Sequence, residues 1–303
     1  MATLQGVFAA AVTPRRLGVQ DINLGVMWDL IDFLVSHKVD GLVLLGTTGE
    51  FVHYSNSERM RMMGLAPKRS RVPVLFNVSH STLDGAVELA QAAAASGAAG
   101  VLVMPPYFFR YDPVSLDCFF REFVREAEID IPILLYNIPN FSNPVPAEVA
   151  DGLLRNKLYA GVKDSSGDVA SLERFAGMRR EYGSCVLVGS DGIFANAMRQ
   201  QMADGVVSGV ASAVPELLVA LNRALAGDRQ EVITRLEARL DQFIAWVDRM
   251  PIPVVIKEAA ATRGLKLGPH AIPPRLELER TIGEFREWFK GWLPDVQSEC
   301  KHA

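Results

Sequence analysis

The chain reads as an α/β protein, a (β/α)8 TIM barrel over residues 1–226 followed by a C-terminal helical extension over residues 227–303. Three features carry that reading. Short runs of β-branched and aliphatic residues alternate with longer segments of helical periodicity, the pattern of β-α units on a parallel sheet. Eight such alternations fit within about 225 residues, the size of a closed barrel, whereas a doubly wound sheet ordinarily stops at five or six strands. Beyond Gly227 the strand pattern ceases and only amphipathic helical segments follow.

The apolar strand segments fall at 7–13, 41–45, 72–78, 100–104, 131–137, 160–164, 185–189 and 205–210. Between them, helices are expected to open near Asn23, Ser55, Thr82, Pro113, Pro146, Val169, Gly192 and Pro215. Several of these are natural helix starts: a short side-chain oxygen satisfies a free amide, and proline loses no bond in the first turn. The Ala-rich stretch 90–99 lies inside a helical pattern with Gly97 at its end, so it reads as a tightly packed helix and not as a linker. The extension contributes helices over 228–247, 254–263 and 274–292, and no domain linker is evident.

Composition narrows the partners. With 31 Lys plus Arg against 35 Asp plus Glu, the net charge of −4 argues against a nucleic-acid tracker. Hydrophobic residues at 49 % and charged residues at 22 % are those of a globular chain able to bury a sizeable core. Cys118, Cys185 and Cys300 are too few and scattered for a disulfide framework, so a reducing, cytoplasmic setting is expected. Residues 1–14 lack the basic region and small-residue cleavage site of a signal peptide, and no apolar run reaches the roughly 20 residues that a bilayer requires, so no membrane partner is expected.

In a barrel of this kind, the strand ends and the loops that follow build the site. Lys163 closes the sixth strand segment, Ala160-Gly161-Val162-Lys163-Asp164. A solvated strand-end lysine paired with Asp164 is the ordinary explanation, but strand alternation sends adjacent side chains to opposite faces and separates the two. In an apolar barrel, desolvation disfavours an ammonium and leaves a free amine to attack a carbonyl and form a Schiff base. Tyr136 ends the fifth segment, one strand away, where a phenol serves either as a core aromatic or as a proton relay for carbinolamine chemistry.

Gly46-Thr47-Thr48-Gly49-Glu50 follows the second strand, and its glycines let amides and two hydroxyls approach a small anion; it lacks the Lys-Ser/Thr ending of a phosphate loop. Gly189-Ser190-Asp191-Gly192 and Val207-Ser208-Gly209 complete the rim, where Ser190, Asp191 and Ser208 are candidates for meeting substrate hydroxyls. The five histidines show no metal-ligand spacing, and neither a G-x-S-x-G elbow nor a G-x-G-x-x-G fingerprint is found. Lysine-based chemistry is what remains.

Together, Gly46-Thr47-Thr48-Gly49-Glu50, Tyr136-Asn137-Ile138-Pro139 and Gly161-Val162-Lys163-Asp164 resemble the dihydrodipicolinate synthase / N-acetylneuraminate lyase superfamily, and Pro251-Ile252-Pro253-Val254 resembles its C-terminal helical region. The resemblance implies a class I enzyme without metal or cofactor that binds pyruvate or another 2-oxo acid as a Schiff base on Lys163. It further implies that Thr47 and Thr48 hold the substrate carboxylate, that Tyr136 shuttles protons, that Val207 lines the pocket through its backbone, and that the enzyme is a homotetramer built as a dimer of dimers.

Two departures redirect the substrate. The synthases carry a tandem Tyr pair after the fourth strand where this chain has Tyr107-Phe108, so Phe108 has no hydroxyl to contribute. They also place an Arg after Tyr-Asn-Ile-Pro, where this chain has Asn140-Phe141-Ser142. Such a charge-assisted carboxylate contact is worth about 1.5–3 kcal/mol. Sialic-acid lyases use an Asp-Glu pair on the rim, whereas Asp191 is followed by Gly192. The expected activity is therefore a pyruvate-type lyase, an aldolase or dehydratase acting on 2-keto-3-deoxy sugar acids or related hydroxy-oxo acids. The alternatives are 4-hydroxy-tetrahydrodipicolinate synthase, with Arg110 supplying the missing guanidinium, and a non-catalytic 2-oxo acid binding protein.

Overall fold

A computed structural model describes residues 4–18 and 21–303. The first three residues of the 1–14 stretch read above for a signal peptide lie outside the described residues. Eight parallel strands close in sequence order into one barrel, with β8 paired to β1. The strands are β1 (Gly6–Ala10), β2 (Gly41–Leu44), β3 (Val74–Asn77), β4 (Gly100–Val103), β5 (Ile133–Asn137), β6 (Gly161–Asp164), β7 (Cys185–Val188) and β8 (Gly205–Ser208). Seven of the eight expected segments contain their strand, and β1 begins one residue before its segment, at Gly6, and ends three residues short of it.

The outer layer is α1 (Leu24–Ser36), α2 (Asn56–Met63), the short α3 (Ala66–Arg69), α4 (Leu83–Ala95), α5 (Pro113–Ala127), α6 (Ala147–Arg155), α7 (Val169–Tyr182), α8 (Phe194–Arg199) and α9 (Pro215–Ala226). Their starts follow local chemistry. Ser55, Thr82 and Asp112 accept bonds from the amides of Glu58, Gly85 and Ser115, and Asp168 caps both Ala170 and Ser171. Pro113 and Pro215 occupy first turns, where no amide is missed. A 3-10 turn over Asp191–Ile193 precedes α8, so the helix expected near Gly192 begins at Phe194.

Closure needs two glycines. Gly6, at φ 88°, lies in register with Gly205, and a Cβ on Gly205 would stand 2.1 Å from the Gly6 carbonyl oxygen. Backbone cannot yield there, so only glycine lets the first and last strands meet.

The extension is α10 (Gln230–Val247), α11 (Val254–Thr262) and α12 (Leu276–Lys301). α12 outruns its expected end at 292, continuing past Pro294. A proline inside a helix forfeits one backbone bond and crowds the preceding turn. Here Val296 is buried beyond it and Glu299 accepts two bonds from Arg239, which holds the last turns in place. Phe243 of α10 makes edge contacts with Phe285 and Phe289 of α12 at ring-centroid distances of 6.1 and 6.0 Å. Truncating this fully buried ring leaves a void, so Phe243→Ala is expected to lower unfolding free energy by about 3–5 kcal/mol in urea denaturation.

Candidate active site

Tyr136 on β5 and Lys163 on β6 are directly in register. Both are enclosed, at 1 % and 4 % exposure, and Lys163 Nζ lies 3.9 Å from the Tyr136 ring centroid. The amine therefore rests on the π-face of its neighbour. Strand alternation does what the sequence suggests. Asp164 points the other way, where its carboxylate accepts from Asn137 Nδ2 at 2.7 Å and from Ser166 Oγ at 2.9 Å. Burial pushes the Asp164 carboxyl upward against those bonds. Asn137 Oδ1 in turn accepts from the Val145 amide at 3.0 Å, so one buried clamp fixes the ends of β5 and β6 behind the Tyr136–Lys163 pair.

The Tyr136 hydroxyl meets Thr47 Oγ1 at 3.0 Å. Thr47 opens a turn closed by the Glu50 amide donating to the Thr47 carbonyl at 3.0 Å. Gly49 has no room for a side chain: a Cβ would lie 3.0–3.1 Å from three backbone atoms. Thr13 Oγ1 donates to the Gly49 carbonyl at 2.7 Å, tying the turn to the segment that follows β1. Thr48 turns toward β8, and its Oγ1 would be 3.3 Å from a Cβ on Gly209.

On the opposite rim, Asp191 leans toward the same glycine. Its Oδ2 accepts from the Val210 amide at 3.3 Å, while its buried Oδ1 has no partner within the chain. Desolvation holds the Asp191 carboxyl above the usual range, opposed by hydrogen bonds from Ser208 and two amides and by the charge of Lys163. Ser208 is buried and also accepts from the Ala211 amide at 2.9 Å. Ser190 faces elsewhere, toward Gly167 in the loop after β6. Val207 is buried in β8 in register with Phe8, and its place just before Ser208 is what links it to the rim.

Two residues were missed in the sequence. Ser165 shares a face with Lys163 by alternation, and its buried Oγ has no partner; a Cβ at Gly189 would strike both it and Lys163 Cε. The period-2 rule applied one residue further would have found it. Lys257 of α11 forms a buried ion pair with Glu50, a contact between segments more than 200 residues apart that no local pattern announces.

The outer edge of the mouth is aromatic. Phe108, at φ 84°, is 90 % exposed and Phe141 is 54 % exposed, while Arg110 Nη1 donates to the Ser142 carbonyl at 3.2 Å. Among the described residues, no group of three or more His, Cys, Asp and Glu side chains is arranged to hold a metal ion. No described helix is long and apolar enough to cross a membrane.

The chain is 31 % identical over 258 residues to a probable 2-dehydro-3-deoxy-D-pentonate aldolase of Escherichia coli (strain K12), covering 83 % of this chain and 85 % of that protein. It is 32 % identical over 285 residues to a 4-hydroxy-tetrahydrodipicolinate synthase of Methanosphaerula palustris, covering 91 % and 96 %. In fold it matches YagE, a prophage protein of the dihydrodipicolinic acid synthase family from E. coli K12 in complex with pyruvate, at a TM-score of 0.87 and 24 % identity over 96 % of this chain and 99 % of that one. A buried amine at the mouth of such a barrel, in a chain with these relatives, defines a lyase of the class I aldolase type. Residues 3–285 match the dihydrodipicolinate synthetase family, and the chain belongs to it.

The Asp191 carboxyl gives a pH test. A group whose folded pKa is raised binds its proton more tightly when folded, so its stabilising effect is present at low pH and is lost as pH rises through the raised value. Asp191→Asn removes that loss. The variant's unfolding free energy should therefore gain on the parent's as pH rises above about 4, the ordinary aspartate value, measured by denaturant titration at a series of pH values.

Proposed function

We propose that the protein cleaves or dehydrates a 2-keto-3-deoxy sugar acid or a related hydroxy-oxo acid through a Schiff base on Lys163, releasing or retaining the pyruvate-like half. The observation that carries this is the line Lys163–Tyr136–Thr47, in which an enclosed amine touches a phenol whose hydroxyl is already hydrogen-bonded to the neighbouring loop. In the neutral form Lys163 Nζ attacks the 2-oxo carbon; Tyr136 carries one amine proton to the carbinolamine oxygen and then gives up its own phenol proton, so the oxygen leaves as water and an iminium and a phenolate remain. The iminium accepts the electron pair when the C3–C4 bond breaks, and the C4 hydroxyl passes its proton to the phenolate. Tyr136 delivers that proton to C3 of the enamine, and water hydrolyses the iminium so formed, returning a proton to the phenolate and freeing the lysine. Lysine chemistry itself supplies the electron sink, so no metal or cofactor is invoked.

Thr47 and Thr48 are assigned to the substrate carboxylate, with Val207 lining the pocket through its backbone. Ser165, Asp191 and Ser208, with Ser190 further out, are assigned to hydroxyls at the distal end. Orphaned oxygens on Ser165 and Asp191 are what a polyhydroxylated chain would satisfy. The aldolase relative from E. coli favours the same class. Residues 1–226 would act as the barrel that carries the site and 227–303 as its extension, in a cytoplasmic homotetramer whose subunits cover the exposed Phe108–Phe109 pair. Arg110, held against Ser142 beside Phe141, supports a second reading as 4-hydroxy-tetrahydrodipicolinate synthase.

Borohydride reduction in the presence of pyruvate should add one pyruvyl-derived mass to the peptide bearing Lys163, and Lys163→Ala should abolish it; an unmodified peptide in the parent sinks the proposal. Against a panel of sugar-derived 2-oxo acids, 4-hydroxy-2-oxoglutarate, and aspartate semialdehyde with pyruvate, cleavage of a sugar acid is expected. Condensation of the semialdehyde would select the synthase instead, and labelling without any turnover would select a binding protein. Tyr136→Phe keeps the ring under the amine but removes the relay, so kcat should fall about 10²–10⁴-fold while slow labelling persists, as rapid-quench assays would show.

A further inference from the structure

The Glu50–Lys257 ion pair is buried on both sides, with 8 % and 3 % of the two side chains exposed. Burying two charges costs more solvation than their attraction commonly returns, and well-packed apolar pairs are often as stable. Stability alone therefore does not account for it. Its position does.

Glu50 is the last residue of the turn that begins at Thr47, and it is held at φ 53°, a conformation unusual for a residue with a side chain. Lys257 reaches it from α11. The residue before it, Ile256, packs where Thr48 Oγ1 and Gly209 also meet: its Cδ1 would be 3.0 Å from a Cβ on Gly209. The residue after it, Glu258, accepts from His270 Nε2 at 2.8 Å and from Arg286 Nε of α12 at 2.7 Å. Charged contacts thus tie α12 to α11 at Glu258, and the next residue back, Lys257, ties α11 to the turn that presents Thr47 and Thr48. Desolvation lowers the Lys257 pKa, and the Glu50 charge opposes that shift without cancelling it.

We propose that Lys257 is a positioning residue: through Glu50 it sets the Thr47–Thr48 turn against Tyr136 and Lys163, which makes the C-terminal extension part of the apparatus that holds the substrate carboxylate. The inference rests on the Schiff-base reading above and deepens it.

The test is Glu50→Met combined with Lys257→Met, which removes both charges and leaves neither unpaired. The double variant should melt close to the parent and still label Lys163 fully at saturating pyruvate with borohydride. Half-maximal labelling should need at least ~10-fold more pyruvate, with KM for the cleaved acid rising more than kcat falls. Lys257→Arg keeps the charge but changes its reach, and serves where the double variant does not fold; the same upward shift in half-saturation is expected of it. Half-saturation equal to the parent's in whichever variant folds overturns the proposal, even if the melting temperature drops, since that is the mark of a structural role only. Failure of the parent to label overturns this inference and the Schiff-base reading together, whereas a labelled parent with an unshifted variant overturns this inference alone.

Discussion

An amine held in a hydrocarbon interior has lost its water, and the site is arranged around where Lys163 Nζ is put. Strand register places it beside Tyr136, and pleating turns Asp164 away from it. The ring beneath it is softer compensation than a carboxylate in contact would be. Asp191 feels the lysine charge without forming an ion pair with it.

Steric economy at the mouth serves the same end. Gly189 stands where any side chain would push into Lys163 and Ser165, and Gly49 stands where a Cβ would collide with backbone on three sides. Lys163 and the threonine turn are thus brought close by absence of bulk.

Local pattern carried most of the architecture. Eight strands were legible because parallel strands buried on both faces leave continuous apolar runs, and helix starts at Ser55, Thr82 and Pro113 were legible because capping is a property of neighbouring residues. The far end of α12 was not, since Pro294 is a breaker in isolation and only tertiary contacts at Val296 and Glu299 overrule it. That Lys163, Tyr136 and Thr47 come together at the mouth was legible from strand position and motif. Ser190 was placed with Asp191 because the two are adjacent, yet the chain turns between them and sends Ser190 toward Gly167. The partnership of Glu50 with Lys257 depends on a long-range contact that sequence spacing does not encode.

The glycine seam between β1 and β8 has a temporal consequence. β1 emerges first from the ribosome, but its second neighbour, and the Ser212 hydroxyl that accepts from the Val12 amide, lie about two hundred residues later in synthesis. Until then one edge of the growing sheet is open, with apolar strand surface uncovered. Such distant pairing is slow to find and leaves nascent chains prone to association, so production of this protein should depend on how well that unfinished edge is shielded during translation.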